Sequence, residues 1–131
     1  MRVILALLAV IGIAVSGLAL REHYRTDTSP CSINEKWDCG IVNHSPYAVL
    51  WGVPVADIGI AGYLLLGILA LKRRYGTLLP LTLAALVFSL YLAHVEAHIL
   101  GVWCIYCVAS LAVISVFSLL ALGTFLARLR R

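Results

Sequence analysis

Cys104 and Cys107, in the run Trp103-Cys104-Ile105-Tyr106-Cys107, are the residues whose type and spacing point most directly to chemistry. Two residues between cysteines close a small ring, and the partial positive charge of a helix N-terminus favours the thiolate, so such pairs exchange electrons readily. Half of a metal site and coincidence are the competing meanings of the motif. Two more cysteines, Cys31 and Cys39, precede it, and with them the chain has four. Ionisable residues inside apolar runs form the second group of candidates: Asp57, His94, Glu96 and His98. Burying such a group in hydrocarbon is costly, so it marks an interior cavity or a partnered site.

The elements that must hold these residues follow from composition. A chain of 131 residues, 63% hydrophobic and 12% charged, cannot clothe a water-soluble domain in polar surface. Four runs are long enough to cross about 30 Å of hydrocarbon at about 1.5 Å per residue: residues 3–20, 53–71, 78–100 and 102–127. The expected fold is an all-α membrane protein, one domain over residues 1–131, built as a four-transmembrane-helix bundle. Only Gly101 and its neighbours separate the last two spans, which should form a tight antiparallel hairpin. The run 3–20 is longer than a signal-peptide core and ends in Arg21-Glu22-His23 without a small-x-small site, so it reads as a retained first span.

Basic residues set the orientation. Lys72, Arg73 and Arg74 lie between spans two and three, Arg128, Arg130 and Arg131 follow span four, and Arg2 precedes span one, with no acidic residue among them. These ends read as cytoplasmic. The net charge of +4 is therefore a topology signal, and a nucleic-acid surface is excluded because the clusters are short and flank spans. The loop over residues 21–52 becomes extracytoplasmic, and all four cysteines fall on the oxidising side of the membrane, in a cell-membrane protein with both termini inside.

A helix starting near Val102 would put Cys104 in its first turn and Cys107 one turn deeper on nearly the same face. One thiol would face water and the other the outer leaflet, which suits a relay between a soluble thiol partner and a lipid-soluble electron acceptor, with the loop pair reaching the upper cysteine. Ser45-Pro46 followed by Tyr47 to Trp51 reads as an N-cap, a proline at the first helical position and a short apolar helix. That loop helix should lie on the extracytoplasmic end of the bundle as a lid or an interfacial anchor.

Taken together the chain resembles the vitamin K epoxide reductase family, as a prokaryotic member without a fused thioredoxin-like domain. Cys31 and Cys39 resemble the family's shuttle cysteines, and Ser45 stands where the family places a Ser or Thr. Trp51-Gly52-Val53-Pro54 with Gly59 and Gly62-Tyr63 is similar to the start of its second span, and Cys104-Ile105-Tyr106-Cys107 to its active-site motif. The resemblance implies a quinone-dependent thiol-disulfide oxidoreductase supporting disulfide bond formation. A thioredoxin-like extracytoplasmic thiol oxidase, acting in trans, would hand its electrons to the Cys31/Cys39 pair, with Cys31 as the contact. Cys39 would then attack Cys104, and Cys107 would face the quinone, whether ubiquinone, menaquinone or a vitamin K-like molecule. Animal members carry a Tyr four positions after the second active-site cysteine, where this chain has Leu111. Asp57, Tyr63 and Ser45 are the other candidate quinone contacts.

For His94 and His98, which share a face at i and i+4, hydrogen bonding within the bundle or snorkelling toward the interface, proton delivery to reduced quinone, and haem or metal ligation stay open. Glu96 points away from them and reads as an interfacial or partner-paired carboxylate. Tyr91 and Tyr106 read as packing aromatics. No resident metal is expected: a site of all four thiols would compete with disulfide formation, and Cys31 and Cys39 lack finger spacing. The alternatives from other classes are a non-catalytic four-span protein stapled by disulfides and a small haem-bearing membrane cytochrome.

Overall fold

The computed structural model describes residues 2–24, 37, 46 and 49–130, apart from the Glu22 side chain. Four helices make the bundle: α1 (Arg2–Tyr24), α2 (Val55–Leu71), α3 (Tyr75–His94), which runs on as a π-helical segment (Val95–Leu100), and α4 (Ile105–Leu129). Arg2–Arg21, Tyr75–Leu100 and Ile105–Leu129 are long and apolar enough to cross a membrane, and Val55–Leu71 is a shorter apolar helix. At 17 residues α2 reaches about 25 Å. The all-α membrane bundle expected from the hydropathy pattern is thus the fold.

Helix α1 lies closely on α2, because small residues let the two backbones approach. A Cβ added at Gly12 would sit 2.5 Å from the Tyr63 ring, and one added at Gly59 would sit 2.8 Å from Ser16 Oγ. Helices α3 and α4 form the second close pair, and α1 against α4 closes the bundle. The core gathers at one end. Leu5 and Ala9 of α1, Leu66 and Ala70 of α2, Leu78 of α3 and Phe117 of α4 pack there, all nearly or wholly buried. The basic residues mark the same end: Arg128 Nη1 donates to the Arg73 carbonyl at 3.1 Å, and its guanidinium lies 5.4 Å from the centre of the Tyr75 ring.

Two boundaries differ from expectation. Residues 49–51 were expected to be helical, but Val49–Leu50 (β1) pairs antiparallel with Val53–Pro54 (β2) in a miniature hairpin. Trp51 and Gly52 form its two-residue loop with φ of 53° and 82°, the positive pair of a type I′ turn, which a helix cannot accommodate. Tyr47 and Ala48, the rest of the expected lid helix, lie outside the described residues. Helix α4 starts three residues later than expected. Gly101 ends the π segment in the left-handed region at φ 69°, and Cys104, with φ −106° and ψ 125°, is the extended N-cap of α4. The tight α3–α4 hairpin is present, and its turn places Cys104 ahead of the helix.

Candidate functional site: a dithiol at the wall of an apolar cavity

From Leu66 and Ile114 of the core toward the other end of the bundle, the four helices line a cavity of about 370 Å³. Its wall is mostly aliphatic, with Ser16, His23, Tyr63, Ser89, Glu96, Trp103, Tyr106, Cys107 and Ser110 as the residues that carry polar groups. Four hydroxyls of α3 and α4 away from the cavity are spent within their own helices: Thr82 donates to the Leu78 carbonyl, Ser115 to Leu111, Ser118 to Ile114 and Thr124 to Leu120. In a lipid setting such internal bonds satisfy a hydroxyl where water cannot. The polar groups on the cavity wall are therefore the ones placed to meet a ligand.

Cys107 sits on this wall in the first turn of α4, half-buried, whereas Cys104 is fully enclosed. The expected arrangement put Cys104 toward water and Cys107 toward the outer leaflet; in the structure Cys104 is enclosed and Cys107 lies on the cavity wall. The extended N-cap conformation folds the Cys104 side chain back among Val102, Leu100 and Tyr106 instead of projecting it from a helical turn. The two sulfurs remain within hydrogen-bonding distance of each other. A pair so placed can close a disulfide with little movement, and only the second sulfur is presented to the cavity.

Glu96 is the residue that sequence reasoning undervalued. It is 2% exposed, and its Oε2 accepts a hydrogen bond from the Cys104 backbone N–H at 3.3 Å. The Cys107 thiol is also within hydrogen-bonding reach of the carboxylate. The π segment makes this possible, since its wider winding turns Glu96 inward while His94 and His98 stay exposed with ring centroids 4.8 Å apart. The available signal was a carboxylate in an apolar run, eight residues before a Cys-x-x-Cys. Among the described residues no group of three or more His, Cys, Asp or Glu side chains converges as a metal site.

The other candidates divide. Tyr63 and Leu111 line the cavity. The Tyr63 hydroxyl donates to the Ser110 carbonyl at 3.0 Å and lies 2.8 Å from Ser110 Oγ, so it first of all joins α2 to α4. Asp57 is not on the cavity wall, although Ala56, Ile58 and Gly59 are. At about 100° per residue it falls opposite the stripe of α2 that faces the cavity, and its charge instead serves the positive N-terminus of that helix. Cys31, Cys39 and Ser45 lie outside the described residues. Trp37 does not: its backbone pairs with Trp103 in a single parallel bridge, and the two rings lie 6.4 Å apart. The first loop is thereby fastened two residues ahead of Cys39, beside the residue that precedes Cys104.

The model of the vitamin K epoxide reductase family matches residues 3–122. That match takes in all four cysteines, nearly all of α1 to α3, and α4 as far as Leu122. The chain belongs to the vitamin K epoxide reductase family and is a membrane thiol-disulfide oxidoreductase.

Proposed function

We propose that the protein reoxidises an extracytoplasmic thioredoxin-like thiol oxidase and passes the electrons to a membrane quinone, supporting disulfide bond formation. The observation that carries this is the position of Cys107, next to Cys104 and on the wall of a partly open apolar cavity. At about 370 Å³ the cavity is within the usual range for small-molecule sites, and its few polar groups suit a flat, mainly apolar ring with two carbonyls.

The electrons move as pairs. The partner's dithiol reduces a Cys31–Cys39 disulfide and leaves oxidised. The Cys39 thiolate then attacks Cys104 Sγ, breaking the Cys104–Cys107 bond and leaving the electron pair on Cys107. Cys31 resolves the Cys39–Cys104 mixed disulfide, which restores the loop pair and leaves Cys104 and Cys107 reduced. Two electrons and two protons pass from that dithiol to the quinone, and the Cys104–Cys107 bond re-forms. Trp37 supports the approach of the loop pair, because two peptide units between it and Cys39 allow at most about 7 Å of separation. The convergence of Arg2, Arg73 and Arg128 at the far end supports an extracytoplasmic dithiol, with both termini on the cytoplasmic side.

Purified protein in detergent, given a dithiol donor and a short-chain ubiquinone or menaquinone, should reduce the quinone, followed by its ultraviolet absorbance. Cys104→Ser and Cys107→Ser should abolish turnover with every donor. Cys31→Ser and Cys39→Ser should block a thioredoxin-like donor yet spare dithiothreitol, which reduces the Cys104–Cys107 bond without the loop pair. Wild-type turnover in all four variants would overturn the relay.

A further inference from the structure

Oxidising a dithiol with a quinone moves two protons as well as two electrons, and the cavity has few groups able to carry them. Its titratable wall consists of His23 from α1, Tyr63 from α2, Glu96 from the π segment that continues α3, and Tyr106 and Cys107 from α4, with Cys104 behind. Of these Glu96 is the carboxylate at the dithiol: it is within hydrogen-bonding reach of the Cys107 thiol and accepts the Cys104 N–H at 3.3 Å. It is also 2% exposed, so water has almost no access to it except through the cavity. A carboxylate is expensive to bury at membrane depth, and capping the start of α4 would need only a neutral acceptor such as Asn, Ser or Thr.

We propose that Glu96 is the proton carrier of the quinone half-reaction, an inference that rests on the dithiol–quinone reading above. Glu96 takes the proton of the Cys107 S–H, which leaves a thiolate next to the cavity. The electron pair of that sulfur goes to the quinone as the Cys104–Cys107 bond forms, and Glu96 delivers its proton to one quinone oxygen. The Cys104 S–H proton, released as the disulfide closes, passes over the same carboxylate to the second oxygen. Two S–H bonds are broken, one S–S and two O–H bonds are formed, and Glu96 ends as it began.

The geometry also supplies the discriminating variant. Glu96→Gln keeps an amide oxygen to accept from the Cys104 N–H but cannot take a proton. Pre-reduced wild-type protein and Glu96→Gln would be mixed with a short-chain quinone, and the rate of disulfide formation followed between about pH 6 and 9. The variant should be slower by about 10²-fold near pH 7, the usual worth of a positioned proton acceptor, and should recover by about tenfold per pH unit as solvent removes the proton instead. Glu96→Asp should restore part of the neutral-pH rate. In a second readout that needs no quinone, measured by peptide mass, iodoacetamide should alkylate Cys107 faster in Glu96→Gln at pH 7, because a carboxylate beside the thiol opposes the thiolate charge and an amide does not; an unchanged rate would mean that the two groups do not meet. A wild-type rate in Glu96→Gln, or a loss of the same size at every pH, would overturn the assignment. Should Glu96→Gln fold poorly, Glu96→Asp alone decides: a deficit at pH 7 that shrinks as the pH rises supports proton carriage, and a wild-type rate at pH 7 or a pH-independent deficit overturns it. Cys107→Ser run in parallel separates the two claims, since quinone reduction persisting in that variant would instead remove the dithiol reading beneath this one.

Discussion

The division of labour between the two cysteines rests on one backbone conformation. Because Cys104 is an extended cap and Cys107 lies within the first turn, one sulfur is enclosed by Val102 and Leu100 while the other meets the cavity. Spacing alone says that the thiols are neighbours, and this was legible in Cys-x-x-Cys. It does not say which one is enclosed, because that depends on the left-handed Gly101 upstream. Tyr63 shows a similar limit. Its type and span suggested a quinone contact, yet its hydroxyl hydrogen is directed to Ser110. Tyr63→Phe should lower stability by about 1 kcal/mol through loss of that link, seen as a lower melting temperature in detergent, with KM for quinone unchanged. A raised KM at unaltered melting temperature would make the hydroxyl a ligand contact instead.

Among the elements, the spans were readable because about 20 apolar residues in a row leave little choice in a bilayer, and α1 to α4 fall where hydropathy puts them. What hydropathy misses is winding. The π segment Val95–Leu100 has no signature in the spacing of its apolar residues, so the inward turn of Glu96 could not be read from it. The hairpin over residues 49–54 was misread for a related reason: Ser45-Pro46 looks like a helix start, but Trp51-Gly52 closes a reversal of the chain. The Trp37–Trp103 bridge is a third feature outside local pattern, since it joins residues 66 apart in sequence. Trp103→Ala should loosen this attachment and slow oxidation of a thioredoxin-like donor several-fold, while oxidation of dithiothreitol keeps its rate. Equal slowing with both donors would mean that Trp103 serves the dithiol and not the loop.

For the whole molecule, charge and redox chemistry sit at opposite poles. Arg2, Arg73 and Arg128 cluster at one end, and the cavity with Cys107 and Glu96 opens at the other. In a background with the four native cysteines replaced by Ser, Trp51→Cys should react with a membrane-impermeant maleimide on intact cells and Gly76→Cys should not; the reverse pattern would invert the proposed topology. Well-packed side chains are just as unevenly distributed, with Leu5, Leu66, Leu78 and Phe117 at the basic end and hollow space around the dithiol. A saturation library sorted both for the amount of protein in the membrane and for rate per molecule should therefore separate along the bundle axis. Changes near Phe117 would deplete the protein without slowing each surviving copy, and changes near Cys107 would leave abundant copies that no longer turn over.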